Sequence, residues 1–230
     1  VRRILIVIAV IIGVLIAADR ITEAIAGNVV AKQVQRSQHL VSKPSVSFGG
    51  FPFLTQAIGG RYSRIDVTIK GLHPDGQRIA QVNAHLHGVR IPLGDALSGN
   101  VQQIPVDSVT ATGRLDYADL TRTIEGVKLT VSPAPNNEVK VSGELSEFGV
   151  DIPASALCSV IAQGNQITVS VRSVDVAGIS LNPGLTATVA DTFGFTRHLP
   201  LPFGLHLTGV QSKSNGLEIG AAGSGLVLTR

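Results

Sequence analysis

The sequence predicts an α+β fold in which one long amphipathic helix is wrapped by a highly curved antiparallel β-sheet. Residues 19–40 place apolar side chains at helical spacing, whereas the chain after Pro44 alternates apolar and polar residues with a period of two. Gly, Pro and Asn turns divide that second part into about eight to ten strands. An apolar helix stripe and a one-faced sheet both need cover, and each can cover the other. Where they fail to interdigitate, an apolar crevice remains, and lipid acyl chains fit such a crevice.

The first element reads as an address. Val1-Arg2-Arg3 precedes Ile4 to Ala18, fifteen residues drawn only from Ile, Leu, Val, Ala and Gly. As a helix this run rises about 22 Å, short of the ~30 Å hydrocarbon core of a bilayer. A basic start, a short apolar stretch and Ala17-Ala18 at its end are the pattern of an export signal; an uncleaved membrane anchor is the rival reading. No Leu-x-x-Cys site follows it, because the only cysteine is Cys158. The positive-inside rule keeps the two arginines cytoplasmic and sends the rest outward. Residues 1–18 are therefore expected to be a signal peptide or anchor, and residues 19–230 a single exported α+β domain.

The second element is the helix over 19–40. Ile21, Ala24, Ile25, Asn28 and Val29 fall at i, i+3, i+4, i+7 and i+8 and make one largely apolar stripe, with Arg20, Glu23, Lys32, Gln35 and Arg36 on the remainder. Small and medium side chains suit packing into a concave surface, and Pro44 is expected to stop the helix. Alternation then begins. Ile65, Val67 and Ile69 oppose Tyr62, Arg64, Asp66 and Thr68, and Ala80, Val82, Ala84 and Leu86 oppose Gln81, Asn83, His85 and His87. Val109 to Leu115, Val127 to Val131, Val139 to Val141, Ile167 to Val171, Leu205 to Leu207 and Leu217 to Leu228 continue the pattern. Asn136-Asn137 is the expected tip of one hairpin. Short helices are expected at Leu93–Ser98, Tyr117–Thr123 and Pro153–Gln163.

Candidate sites follow from aromatic residues and cations. Three of the seven phenylalanines, Phe48, Phe51 and Phe53, lie with Leu54 in a Gly/Pro loop beside the helix end. Such a loop can line a lipid entrance or dip into a membrane surface; the plainer alternative is a plug that closes one end of the sheet. Arg61 and Arg64 follow and can meet a phosphate, although solvated strand charges are common. A second cluster, Phe193-Gly194-Phe195 and Leu199 to Gly204 with Phe203, can cover the other side of the same cavity or pack at a sheet edge.

Several classes of function lose support. One cysteine rules out an intrachain disulfide framework and multi-cysteine metal or cluster sites. His85 and His87 share a strand face with Gln81 and Asn83 and no acidic residue, so a solvated face explains them better than a metal. No nucleophile elbow, S-x-x-K, H-E-x-x-H, P-loop or dinucleotide fingerprint occurs, so no catalytic residue and no cofactor is assigned. Cys158 reads as a small buried hydrophobe. The formal charge is +3; without residues 1–18 it falls to 17 basic against 16 acidic side chains, a net of +1. That is too little for a nucleic-acid binder. Residues 32–90 nevertheless hold eight basic and two acidic side chains, compatible with an anionic lipid headgroup.

Pro44-x-Val46-x-Phe48-Gly49-Gly50-Phe51-Pro52-Phe53-Leu54-Thr55-Gln56, then Gly60-Arg61-Tyr62-x-x-Ile65, resembles the LmeA-like phospholipid-binding proteins of actinobacterial cell envelopes. Leu201-Pro202-Phe203-Gly204-Leu205-x-Leu207-x-x-Val210, followed by Gly216-Leu217-x-Ile219, is similar too. The resemblance implies a non-enzymatic phospholipid binder, a fold like the tubular lipid-binding proteins, and a role near mannan elongation in lipoglycan assembly. It also supplies the word phospholipid, which composition alone does not. Combined with the residue pattern, it leads to an expected site. Acyl chains would lie against Ile21, Ile25, Val29 and the apolar strand faces, Phe48, Phe51, Phe53, Leu54 and Phe203 would border the cavity, and the headgroup would emerge near Arg61 and Arg64. The expected partners are an anionic phospholipid and a membrane surface. An envelope scaffold with a filled core is the alternative.

Overall fold

A computed structural model describes residues 2–73, 78–98, 101–120, 122–124, 127–147, 150–176, 179–180, 182–184 and 195–229. Helix α1 (Arg2–Ser37) runs without interruption from the apolar run into the amphipathic segment. Its end precedes Pro44. Leu40 N–H donates to the Gln35 carbonyl at 3.0 Å and His39 N–H to that of Arg36 at 3.4 Å, while His39 adopts a left-handed φ of 50°. That pair of bonds is the Schellman closure of a helix, here made without glycine.

The chain then forms β1 (Ser45–Gly49), α2 (Phe53–Gly59), β2 (Arg61–Leu72), β3 (Ile79–Arg90), α3 (Leu93–Ser98), β4 (Gln103–Leu115) and α4 (Tyr117–Leu120). Seven strands follow: β5 (Arg122–Ile124), β6 (Val127–Ala134), β7 (Glu138–Glu147), β8 (Val150–Gln163), β9 (Gln166–Val176), β10 (Ile179–Ser180) and β11 (Phe195–His198). A 3-10 turn at Pro202–Gly204 leads to β12 (His206–Lys213) and β13 (Gly216–Thr229). One sheet has the order β1-β2-β3-β4-β13-β12; the other runs β10-β9-β8-β7-β6-β5, with β11 also paired to β9. Every pairing whose register is described is antiparallel, and the strand orders leave both sheets open rather than closed into a barrel.

The α+β class thus holds, but the strands build two sheets where one wrapped sheet was expected. The reason is local: β5 to β9 follow one another at short sequence separations and pair in sequence order, whereas the β12–β13 hairpin pairs back onto β4. The helices expected at Leu93–Ser98 and from Tyr117 are present, the latter ending at Leu120. Pro153–Gln163 is not a helix. It belongs to β8, because Ala156, Cys158, Val160 and Ala162 alternate with Leu157, Ser159 and Ile161 and join an apolar sheet face. The expected Asn136-Asn137 tip is present in the three-residue connection between paired Ala134 and Glu138, with both asparagines at positive φ (57° and 63°) and Glu138 N–H donating to the Pro135 carbonyl at 3.2 Å.

The chain divides into two compact units. The first comprises Val1–Leu72, Val82–Ala111 and Gly223–Arg230, and the second His73–Gln81 and Thr112–Ala222. In the first unit α1 packs on β1 and α2. The helix face that does so carries Asp19, Gly27 and Ala31, all buried. An added Cβ on Gly27 would sit 2.5 Å from the Val46 carbonyl oxygen, so the missing side chain is what lets the helix backbone approach the strand. Ile21, Ile25 and Val29, expected to pack inward, are instead 61%, 59% and 61% exposed. Close approach through small residues, not the most apolar stripe, decides which face is packed.

Candidate functional site

The aromatic segment of the first unit is split by its own geometry. Phe48 and Phe53 are buried against Tyr62, with ring centroids 5.2 Å (Phe48–Phe53), 5.2 Å (Phe48–Tyr62) and 6.2 Å (Phe53–Tyr62) apart. These spacings suit tilted aromatic packing. Tyr62, read from the sequence as part of a polar face, is buried here, and burial pushes its hydroxyl pKa up. Phe51 and Leu54 point the other way and are exposed.

What aims them outward is Asp19. Helix α2 begins after Pro52, which supplies no side-chain cap. The Asp19 carboxylate caps it from α1, accepting the N–H of Phe53 at 3.0 Å and of Leu54 at 2.9 Å. Arg20 donates to Asp19 at 2.8 Å and to the Gly50 carbonyl at 3.3 Å, and its guanidinium stacks over the Phe51 ring at 5.4 Å. Burial alone would raise the Asp19 pKa; the two backbone donors and Arg20 outweigh it, and the carboxyl stays below its ordinary value. Gly60 ends α2 in the left-handed conformation.

Of the expected headgroup cations, Arg61 is exposed and makes no ion pair among the described residues. Arg64 pairs with Asp66 at 3.0 Å. Phe203 lies in the second unit, half-exposed at a left-handed φ of 57°. Phe193 and Gly194 lie outside the described residues, as does the side chain of Phe195. His85 shares a hydrogen bond with Asp66 at 2.6 Å, and no group of three or more metal-ligating side chains exists among the described residues. No helix among them is long and apolar enough to cross a membrane.

The second unit holds an apolar cluster that is buried at its centre and only partly buried around it. Val139, Cys158, Val160 and Val210 are buried at its centre. Packed on them, yet only partly buried, are Val131, Val141, Ala156, Ala162, Ile167, Val169, Val171, Leu217 and Ile219. This is one continuous face of β6 to β9 opposed by β12 and β13, lined mainly by small and β-branched residues. Polar side chains clamp its margins. Asn137 donates to the Val210 carbonyl at 3.0 Å and accepts from Ser212 N–H at 2.6 Å, and Asn165 accepts from Leu207 N–H at 3.2 Å. The Tyr117 hydroxyl meets Ser212 Oγ at 2.7 Å and the Lys213 carbonyl at 2.9 Å. Cys158 sits inside as a free thiol whose pKa burial and the nearby Glu138 push up, which suits packing and not nucleophilic chemistry.

The sequence already showed the alternation of Val131, Val139, Val141, Val169 and Val171, but not that of these only Val139 is buried. Nor did it mark Asp19, whose partners are 34 and 35 residues away. Comparison with curated proteins and with solved structures returns no match. The family model described as LmeA-like phospholipid-binding matches residues 17–222, most of the 230-residue chain, and includes both the Phe-rich segment and the open sheet face; the chain belongs to that family.

Proposed function

We propose that this is a non-enzymatic phospholipid-binding protein of the cell envelope that holds acyl chains against the partly covered apolar face of its second unit. The observation that carries this reading is that Val131, Val141, Val169 and Val171 line one sheet face, Leu217 and Ile219 of β13 oppose it, and all six remain only partly buried. A folded protein ordinarily packs such side chains to near-crystalline density, and an acyl chain supplies the missing contact at about 0.8 kcal/mol per buried CH₂. No catalytic group is needed for binding of that kind.

The apolar run of α1 holds the protein to the plasma membrane, with the remainder on the outer, periplasmic side. The basic excess of residues 32–90 suits an anionic membrane surface. A part in mannan elongation during lipoglycan assembly rests on family resemblance alone. Native mass spectrometry of protein purified without detergent, followed by denaturing lipid extraction, tests the binding. A stoichiometric phospholipid is expected, and its headgroup identifies the class. A lipid-free mass that persists after incubation with anionic vesicles sinks the proposal and favours a scaffold with a filled core.

A further inference from the structure

The exposed apolar residues of the first unit are not scattered. Leu54 and Ile58 are four residues apart on the outer face of α2, opposite the buried Phe53. Phe51 precedes them at 61% exposure and Ile58 reaches 74%. Helix α3 lies beside α2: Ile91 N–H, two residues before α3, donates to the Gly60 carbonyl at 2.9 Å, and Leu93 on α3 is exposed as well. Among the described residues these side chains are exposed, and Arg20 stacked over the Phe51 ring is the one ring contact made to them.

We propose that this set is a membrane-docking patch, with Phe51, Leu54, Ile58 and Leu93 lying in the interfacial layer of the same bilayer that receives the apolar run of α1. Continuity argues for that occupant. The run ends at Ala18, and the next two residues hold the patch: Asp19 caps α2 and Arg20 stacks on Phe51. Whatever phase takes Ile6 to Ile16, all exposed, therefore brings α2 to its surface. Charge agrees. From Ser45 to Ser63 the only charged side chain is Arg61, exposed one residue beyond the C-cap of α2. An apolar face with a cation at its border is the composition of an interfacial helix on anionic lipid. The patch also accounts for a short run, since it adds apolar contact where the run stops.

The proposal rests on the membrane-tether reading, and the test separates the two. The protein has no tryptophan, so Ile58→Trp, Ile12→Trp and Ile161→Trp each introduce a single reporter into the full chain. Ile12 lies about 9 Å before the end of the run, and Ile161 is exposed on the outer face of β8. Each variant is reconstituted into phosphatidylcholine–phosphatidylglycerol vesicles with and without brominated acyl chains. Docking predicts that Ile58→Trp emission shifts to the blue and is quenched by bromine near the glycerol end of the chains. Ile12→Trp should respond to deeper bromine, and Ile161→Trp to neither. Quenching of Ile12→Trp without Ile58→Trp overturns docking and leaves the tether standing; no quenching of either overturns both. A blue shift of Ile58→Trp that bromine leaves unquenched means a second copy or another protein covers the patch, and overturns it too. Equal quenching of Ile58→Trp and Ile161→Trp removes the case for a specific surface.

Discussion

A carboxylate 3% exposed is costly unless its lone pairs are used, and Asp19 uses them on two amides that lack any other cap. Asp19 holds its proton less tightly in the folded protein than an ordinary aspartate does. A depressed folded pKa stabilises above the unfolded value, near 3.9, and that contribution is lost as pH falls through the folded value. Asp19→Ala is therefore expected to lower the melting temperature at neutral pH. It should also shrink the further drop seen between about pH 4 and lower pH. Calorimetry across that range decides; a variant whose profile parallels the parent's removes Asp19 from the account. Nothing local marks this residue in the sequence, where it is simply the first charge after an apolar run. The Phe-rich segment was more legible, although which phenylalanines face inward depends on that distant cap.

Helix α1 shows at the scale of an element why periodicity located a helix but misjudged its packed side. The stripe of Ile21, Ile25 and Val29 is the more apolar, yet Gly27 and Ala31 make the contact because backbone-to-backbone approach needs absent bulk. Gly27→Ala places a methyl 2.5 Å from the Val46 carbonyl oxygen, and main chain on both sides leaves little room to yield. The gain in helix propensity is outweighed, and an overpacking loss of about 1–3 kcal/mol is expected in denaturant unfolding. Gly13→Ala, with nothing within 4 Å, keeps the gain in helix propensity unopposed and should not lower the unfolding midpoint; an equal loss from the two would refute the close-approach account. Strand β8 failed in the opposite direction. Leu157 and Ile161 on the face opposite Ala156, Cys158, Val160 and Ala162 blur its two-residue period, and only pairing with β7 and β9 over its length settles it as a strand.

For the whole molecule, the class and the antiparallel character were legible from alternation, whereas the split into two sheets was not, since strand order depends on which hairpins return to which edge. The same limit hid the open face, because alternation marks apolar sides without saying how completely they are covered. Val141 separates an open face from a filled one. It lies between Val131 and Ala156 on the neighbouring strands and is only partly buried. In a filled core, Val141→Phe would cost about 1–3 kcal/mol through overpacking. On an open face the larger ring occupies the room meant for an acyl chain, so lipid-free stability is kept while the ligand loses its place. A ligand bound only by the native state at a hundred times its Kd stabilises by about 2.7 kcal/mol, which a melting experiment resolves. The parent should therefore melt higher with phospholipid present, and Val141→Phe should melt near the lipid-free parent with or without it. A destabilised variant that still gains from phospholipid would place the acyl chains elsewhere.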